Sequence, residues 1–273
     1  MVKWIIENFS NESSYDELIS AVVSLGYDCK VIKGDYKHAD VDDYKNEPVI
    51  FCGSIEMTKL IQDRLITCYP VAYCNQPNYL CSKYYSYFGP YLFNDRYALI
   101  SLGEFYRQKF FFYGMFGKES LIFLRPDSGQ KTFQAQLVDF LDLDRFYETN
   151  KHLQHELVLI STPKNISWEG RFIVSKYKDI IGHSTYRFQG LRTLIPAVPE
   201  ESMDMVKKLL DVGYYPDSVF CIDIAGDNDG NYWLLELNSF SSAGLYASNK
   251  KDIVTKVSDI VKKECKEKYE LVV

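Results

Sequence analysis

The chain has 273 residues and a formal net charge of −6, from 31 Lys+Arg against 37 Asp+Glu. That length allows one large domain or two small ones, and the mild acidity argues against a general nucleic-acid grip, which needs a basic surface. No apolar run approaches the about 18 residues that cross a membrane, the N-terminal stretch turns polar too soon for a signal peptide, and the seven cysteines carry no C-x-x-C pair, so the expectation is reduced thiols in the cytoplasm.

Residues 4–9 (WIIENF) read as a strand, and residues 13–25 as a helix capped by Ser13 or Ser14, with Leu18, Ile19, Val22 and Val23 on its apolar stripe and Gly26 at its end. Asp28–Ile32 and Pro48–Cys52 read as two more strands, Ile55–Arg64 as a helix, and residues 70–73 as a fourth strand. Strands alternating with helices imply a parallel, doubly wound sheet. Residues 1–93 therefore read as a small Rossmann-like domain, and without G-x-G-x-x-G they are no dinucleotide site. Gly53-Ser54 at the strand-to-helix turn can hold an anion, although a tight turn explains it better. Residues 79–93 are aromatic and irregular, broken by Pro90, and mark the boundary with a second domain over 94–273.

In residues 101–113, Leu102, Phe105, Tyr106 and Phe110 recur at helical spacing and read as core. Residues 120–133, SLIFLRPDSGQKTF, give a strand, a turn at Arg125 to Gly129, and a resumed chain at Lys131. A glycine loop flanked by Arg125 and Lys131 can fold N–H groups and two cations around a polyphosphate. The alternative is solvated bases beside a turn, and the spacing is not that of a Walker A loop. Residues 132–143 read as a helix with Phe133, Leu137, Phe140 and Leu141 inward, and His152 and His155 as surface residues. Leu157–Ser161 is an apolar strand ending at Thr162-Pro163, and residues 167–175 and 179–186 form an antiparallel pair. Alternation puts Glu169 and Arg171 on one face, either as an exposed i, i+2 ion pair or inside a cleft, with Arg187 at the end of the second strand. Residues 199–212 read as a helix ended by Gly213, and residues 250–266 as a packing helix with lysines on its outer face.

The densest signal lies in residues 219–246, which read as a β-hairpin. A two-residue turn at Asp229-Gly230 places Asp223 opposite Glu236, Cys221 opposite Asn238, Ile222 opposite Leu237 and Ile224 opposite Leu235. One face is then a core face of Ile222, Ile224, Leu235 and Leu237, while the other carries Asp223, Glu236 and Asn238. Two carboxylates face to face repel, and no base in the hairpin neutralises them. A hard divalent cation such as Mg²⁺ does so; an exposed acidic hairpin is the bland alternative. The small-residue loop 239–244 follows, suited to close ligand approach.

A strand bearing one Asp followed by a strand bearing Glu-x-Asn resembles the Mg-ATP site of ATP-grasp enzymes, and ELNSFSSAGLY with RPDSGQKTF and EGRF resembles the phage and bacterial clade named for two arginines and a lysine. The resemblance covers roughly residues 121–248. It implies an α/β (α+β) ATP-grasp fold behind a Rossmann-like pre-ATP-grasp domain, with two lobes hinged near residues 160–163. It assigns Arg125, Lys131, Ser128 and Gly129 to ATP phosphates, Ile160, Ser161 and Thr162 to an adenine-binding hinge, and Glu169 to the nucleotide cleft. Asp223, Glu236 and Asn238 would hold magnesium, with two ions expected, and Arg171, Arg187 and Lys131 would serve phosphoryl transfer, Arg187 competing with the other arginines for the clade's naming role.

The activity this implies is an ATP- and Mg²⁺-dependent carboxylate–amine ligase working through an acyl phosphate, on small-molecule or peptide substrates, with residues 79–93 and 239–244 shaping the acceptor pocket. A kinase on a non-carboxylate acceptor and a non-catalytic nucleotide-binding or host-interaction protein are the alternatives. The absence of a Ser-His-Asp or Cys-His pattern fits a reaction that needs no protein nucleophile.

Overall fold

The alternating pattern of the first third builds a parallel sheet. The computed structural model describes residues 1–8, 13–32, 47–65 and 67–270, apart from the side chains of Ser13, Ser14 and Glu270, so the expected cap of the first helix and the end of the first strand at Phe9 lie outside the described residues. Strand β1 (Lys3–Glu7), helix α1 (Ser13–Ser24), β2 (Asp28–Ile32), β3 (Pro48–Cys52), α2 (Ile55–Arg64) and β4 (Tyr69–Val71) form a four-stranded sheet in the order β2-β1-β3-β4, parallel throughout. Burial of both faces explains why the middle of β1, Trp4 to Ile6, and β3 are apolar without alternation. Trp4 and Ile6 pack with α1, while Ile5, Val49 and Phe51 pack with Met57 and Ile61 of α2. Gly26, at φ +75°, closes α1 in the left-handed conformation that an L side chain resists.

Residues 79–93 are not irregular. A 3-10 turn (Gln76–Tyr79) leads into α3 (Cys81–Phe88), and a second turn (Gly89–Tyr91) takes Pro90. Cys81, Tyr84, Tyr85 and Phe88 are all buried, an i, i+3, i+4, i+7 stripe that the surrounding aromatic residues hide in the sequence.

The second sheet comprises β5 (Tyr97–Ser101), β6 (Leu121–Pro126), β7 (Gln136–Asp139) and β8 (Leu157–Ser161) in the order β5-β8-β6-β7, covered by α4 (Leu102–Arg107), α5 (Lys109–Phe116) and α6 (Leu143–Asn150). Two expectations fail here. Residues 101–113 are a strand end and two helices, because the helix breaks at Gln108; Phe110 is consequently 73% exposed and not core. The helix expected over 132–143 gives way to β7, which pairs antiparallel with β6 and leaves Leu137 exposed, and to a 3-10 turn at Phe140–Asp142 in which Leu141 is exposed. His152 and His155 are exposed, as expected.

The third sheet is antiparallel: β9 (Trp168–Ser175), β10 (Ile180–Phe188), β11 (Leu191–Ile195), β12 (Val219–Gly226) and β13 (Tyr232–Ser239), ordered β11-β10-β9-β12-β13. One face, with Phe172, Phe220, Ile222 and Leu237, packs on α3 and α7 (Glu200–Asp211). On the other face Ile173 and Cys221 join Trp4, Ile6 and the apolar stripe of α8 (Lys250–Glu270), so one core spans the first and third sheets. No helix among the described residues is long and apolar enough to cross a membrane.

Candidate active site

The hairpin of β12 and β13 pairs Asp223 with Glu236, Cys221 with Asn238 and Ile222 with Leu237, the register read from the sequence. Nearer the turn a bulge shifts the pairing, so Ile224 faces Leu234 and not Leu235. Leu234 is fully buried in Leu235's expected place. The connection is a five-residue loop built around Asp227, whose Oδ1 accepts the N–H groups of Asp229 and Asn231, both at 2.9 Å. Gly230 takes φ +82° there.

Asp223 and Glu236 thus lie side by side, and the groups that neutralise them come from other strands. β9 lies next to β12 with Arg171 opposite Asp223. The guanidinium makes a bidentate pair, Nε to Oδ1 and Nη2 to Oδ2, both 2.7 Å. Its Nη1 donates to the Gly244 carbonyl at 3.1 Å. The ring of Tyr246 lies 4.9 Å from the guanidinium carbon and stacks on Tyr186. Tyr246 holds this position with a left-handed φ of +46°, and its carbonyl accepts the Lys250 ammonium.

Glu236 is matched from the second sheet. Arg125, at the end of β6, reaches it through Nη2 at 3.2 Å, and Lys131 Nζ stands 4.0 Å away. Arg125 is 7% exposed, and its Nε is buried without a hydrogen-bond partner, a donor left for a ligand. Asn238 ties the carboxylates together: its Nδ2 donates to Asp223 Oδ2 at 3.1 Å and Glu236 Oε1 at 2.9 Å. Burial pushes the Asp223 carboxyl up to about 6, against the opposing pull of Arg171. Burial alone would raise Glu236 too, but Arg125 and Lys131 outweigh it and hold that carboxyl down at about 2.

The RPDSGQK segment is fixed from below. Asp127 is 5% exposed and accepts the Ser82 N–H at 2.6 Å and Ser82 Oγ at 2.7 Å, capping α3. Ser128 Oγ accepts the Gln130 N–H at 3.1 Å, and Lys131 sits at φ +53° in the turn. A Cβ on Gly129 would lie 3.3 Å from Tyr79 Cβ, so the loop lies close on Tyr79.

Glu169 and Arg171 share a face but do not pair. Glu169 is buried and accepts Tyr186 Oη at 2.8 Å and Arg187 Nη1 at 2.9 Å, so it is neither an exposed i, i+2 pair nor free. This second cluster adjoins the first through the Tyr186 ring, 5.9 Å from the Arg171 guanidinium carbon. Ile160 and Ser161 are flanked by partners from both β5 and β6, and Ser161 Oγ donates to the Arg96 carbonyl at 2.9 Å. Thr162 is the first residue beyond the ladder, half-buried. No hydrogen bond among the described residues joins 160–162 to the carboxylate pair. At Gly53-Ser54 no anion is needed: Glu7 Oε2 accepts the Ser54 N–H at 2.6 Å, and Ser54 Oγ caps Met57.

Among the described residues, no group of three or more His, Cys, Asp and Glu could hold a metal ion. The set here is two carboxylates, whose oxygens suit a hard cation, bridged by an amide that turns its Nδ2 to both of them. Asp127, Tyr186 and Tyr246 escaped the sequence reading. Asp127 and Tyr246 lie inside the RPD and ELNSFSSAGLY strings, but nothing local marks their contacts.

No curated protein matches the chain. Among solved structures it is similar to D-cycloserine synthetase DcsG (TM-score 0.65, 11% identity, 96% of this chain and 100% of that one). It is similar to macrocyclase MdnC bound with precursor peptide MdnA from Microcystis aeruginosa MRC (TM-score 0.59, 12% identity, 96% and 100% covered). It is also similar to ATP-grasp ligase PsnB complexed with minimal precursor, Mg and ADP (TM-score 0.55, 13% identity, 96% and 98% covered). At these identities the likeness shows a shared fold. The model of the ATP-grasp domain, in the second family of the clade named for two arginines and a lysine, matches residues 112–256, more than half of the chain. The chain therefore belongs to that clade of the ATP-grasp family.

Proposed function

We propose that this chain is an ATP- and Mg²⁺-dependent carboxylate–amine ligase that works through an acyl phosphate. The observation that carries the reading is the convergence of three cations, Arg125, Lys131 and Arg171, on a carboxylate pair bridged by one amide. Three positive groups against two negative ones leave a surplus that suits a triphosphate. The related folds include a synthetase and peptide-bound ligases, which supports a ligation chemistry.

In this reading residues 1–93 form the Rossmann-like domain and 94–273 the ATP-grasp domain. The hinge at Ile160, Ser161 and Thr162 receives adenine, and Ser128 and Gly129 present backbone N–H groups to the phosphates. Asp223, Glu236 and Asn238 would hold magnesium, which supplies a Lewis acid that neutralises phosphate charge. Arg125 turns its unpartnered Nε toward phosphate oxygen, and Lys131, half-exposed, follows the γ-phosphoryl group. A substrate carboxylate oxygen attacks the γ-phosphorus and the bond to ADP breaks. The amine nitrogen then attacks the acyl carbon, and phosphate leaves. Arg171 orients Asp223, and Arg187 holds Glu169 at the cleft edge. The test is incubation with Mg-ATP and pools of amino acids or peptides, followed by ADP release and product mass spectrometry. An amide product supports the reading; no ADP above background with any pool, or a phosphorylated non-carboxylate product, overturns it.

A further inference from the structure

Helix α5, KFFFYGMF, is apolar almost all round. Its inner face, Phe112 and Phe116, joins the core under the second sheet. Its outer face carries Phe110 (73% exposed), Phe111 (58%) and Met115 (59%). The 3-10 turn at Phe140–Asp142 extends that surface: the Phe140 ring lies 5.4 Å from Phe110 and 4.4 Å from Tyr113, and Leu141 beside it is 88% exposed. A surface helix turns polar side chains outward, and one that is apolar all round is a covered one. A phenylalanine buries about 150–250 Å² when covered, so at these exposures the four outer side chains present roughly 500 Å². That is near the upper end of what a monomer carries on its surface. It is also about the apolar share of the roughly 800 Å² that each partner contributes to a stable dimer.

We propose that this face joins two copies of the chain, α5 antiparallel to α5 across a two-fold axis. Shape and charge both point to a second copy. Helical spacing puts Gly114 at the outward pole of α5, between Phe110 and Phe111, and a Cβ built on it meets nothing within 4 Å among the described residues. Glycine weakens a helix interior, and no crowding within the chain calls for one here. The face thus offers a knob, Phe110, and a hollow, Gly114, one turn apart. A two-fold axis between them sets the knob of each copy over the hollow of the other, the self-matching that an isologous contact requires. A patch that meets itself must also carry little net charge, because like charges brought together repel. The two segments that form it, residues 109–119 and 139–142, hold two lysines and three acids. That near balance suits self-association, whereas an anionic membrane surface calls for a basic rim. Ile122 and Leu124 of β6 face the α5 side, and Arg125 alternates to the other. The contact therefore leaves the carboxylate pair open and does not depend on the ligase reading.

The experiment is sedimentation velocity on the full chain across micromolar concentrations, without nucleotide. Expected is a species of twice the chain mass that dissociates on dilution. Phe110→Glu should raise the dimer dissociation constant about tenfold or more. Gly114→Leu should do the same by filling the hollow; it touches nothing in its own chain and replaces glycine with a better helix former, so its thermal midpoint should not fall. If Phe110→Glu is misfolded, Gly114→Leu carries the comparison. Leu191→Glu, at an exposed apolar residue of β11, should leave the dimer constant within about twofold. A monomer at every concentration, with or without binding to vesicles of anionic lipid, overturns the proposal. So does a dimer that a folded Gly114→Leu variant leaves intact, or one that Leu191→Glu weakens as much as the two α5 variants do.

Discussion

Arg171 and Asp223 meet across β9 and β12 in a two-point ion pair, with both nitrogen–oxygen distances at 2.7 Å and both side chains at most 6% exposed. Each charge is buried and each depends on the other. Arg171→Met leaves a buried carboxylate without its counter-charge and should destabilise the fold by about 3–5 kcal/mol. Adding Asp223→Leu should recover part of that loss. Urea unfolding without magnesium checks both, and a double variant that shows the full sum of the two single losses contradicts the coupling.

Glu236→Gln keeps the shape and the Asn238 contact but removes one charge from the site. ADP release should fall by about a hundredfold or more, with the secondary structure intact by circular dichroism. A variant that retains activity would remove Glu236 from the chemistry.

The bulge in the hairpin separates two adjacent leucines. Leu234 is fully buried, so Leu234→Ala should cost about 2–5 kcal/mol. Leu235 is half-buried, so its truncation should cost clearly less. A larger loss for Leu235 than for Leu234 in chemical denaturation would speak for the unshifted register instead.

Asp127 couples the RPDSGQK loop to the start of α3 by two hydrogen bonds from Ser82. Asp127→Ala should cost about 1–3 kcal/mol and should also weaken nucleotide binding, because the loop loses its anchor. Titration with the ATP analogue reads the second effect; unaltered affinity in a folded variant would show that the anchor does not govern the loop.

The pH dependence has a definite sign. The Asp217 carboxyl is raised from 3.8 to about 6 by burial, so between those values the native state holds a proton that the unfolded chain releases. Stability from this group falls as pH rises through that window, by about 3 kcal/mol. Glu236 acts the other way: held at about 2, below its ordinary 4.5, it contributes stability that is lost as pH falls from 4.5. Asp217→Asn should flatten the decline between about pH 4 and pH 6. An identical pH profile for the variant would contradict the assignment.

The register at Asp223 and Glu236 was legible because the hairpin is local and its apolar face alternates strictly until the bulge. The bulge was not legible, because it follows from the side-chain bonds of Asp227 and not from a two-residue turn. The partner of Asp223 was hidden for a different reason. β12 finds β9 only after two strands and a helix have intervened, so Arg171 meets Asp223 through sheet order. The strand at Gln136–Asp139 was missed because the apolar residues of 133–141 also fit a helical stripe, and pairing with β6 decided between the two. Asp217 carried no signal, since its meaning comes from Asn75 and Tyr79, far away in the chain.

The core under the second sheet draws every buried member from residues 102–160, whereas the core shared by the first and third sheets mixes both ends of the chain. The chain enters that lobe near Asp95 and leaves it near Lys164, and Lys164 clasps the two crossings by bonding the Phe93 carbonyl and Asp95. The tethers are not its only hold: the other face of the second sheet sinks Leu159 into the core with Phe172 and Leu237, and Asp127 bonds Ser82, so the strand that carries Arg125 is braced against the hairpin from behind.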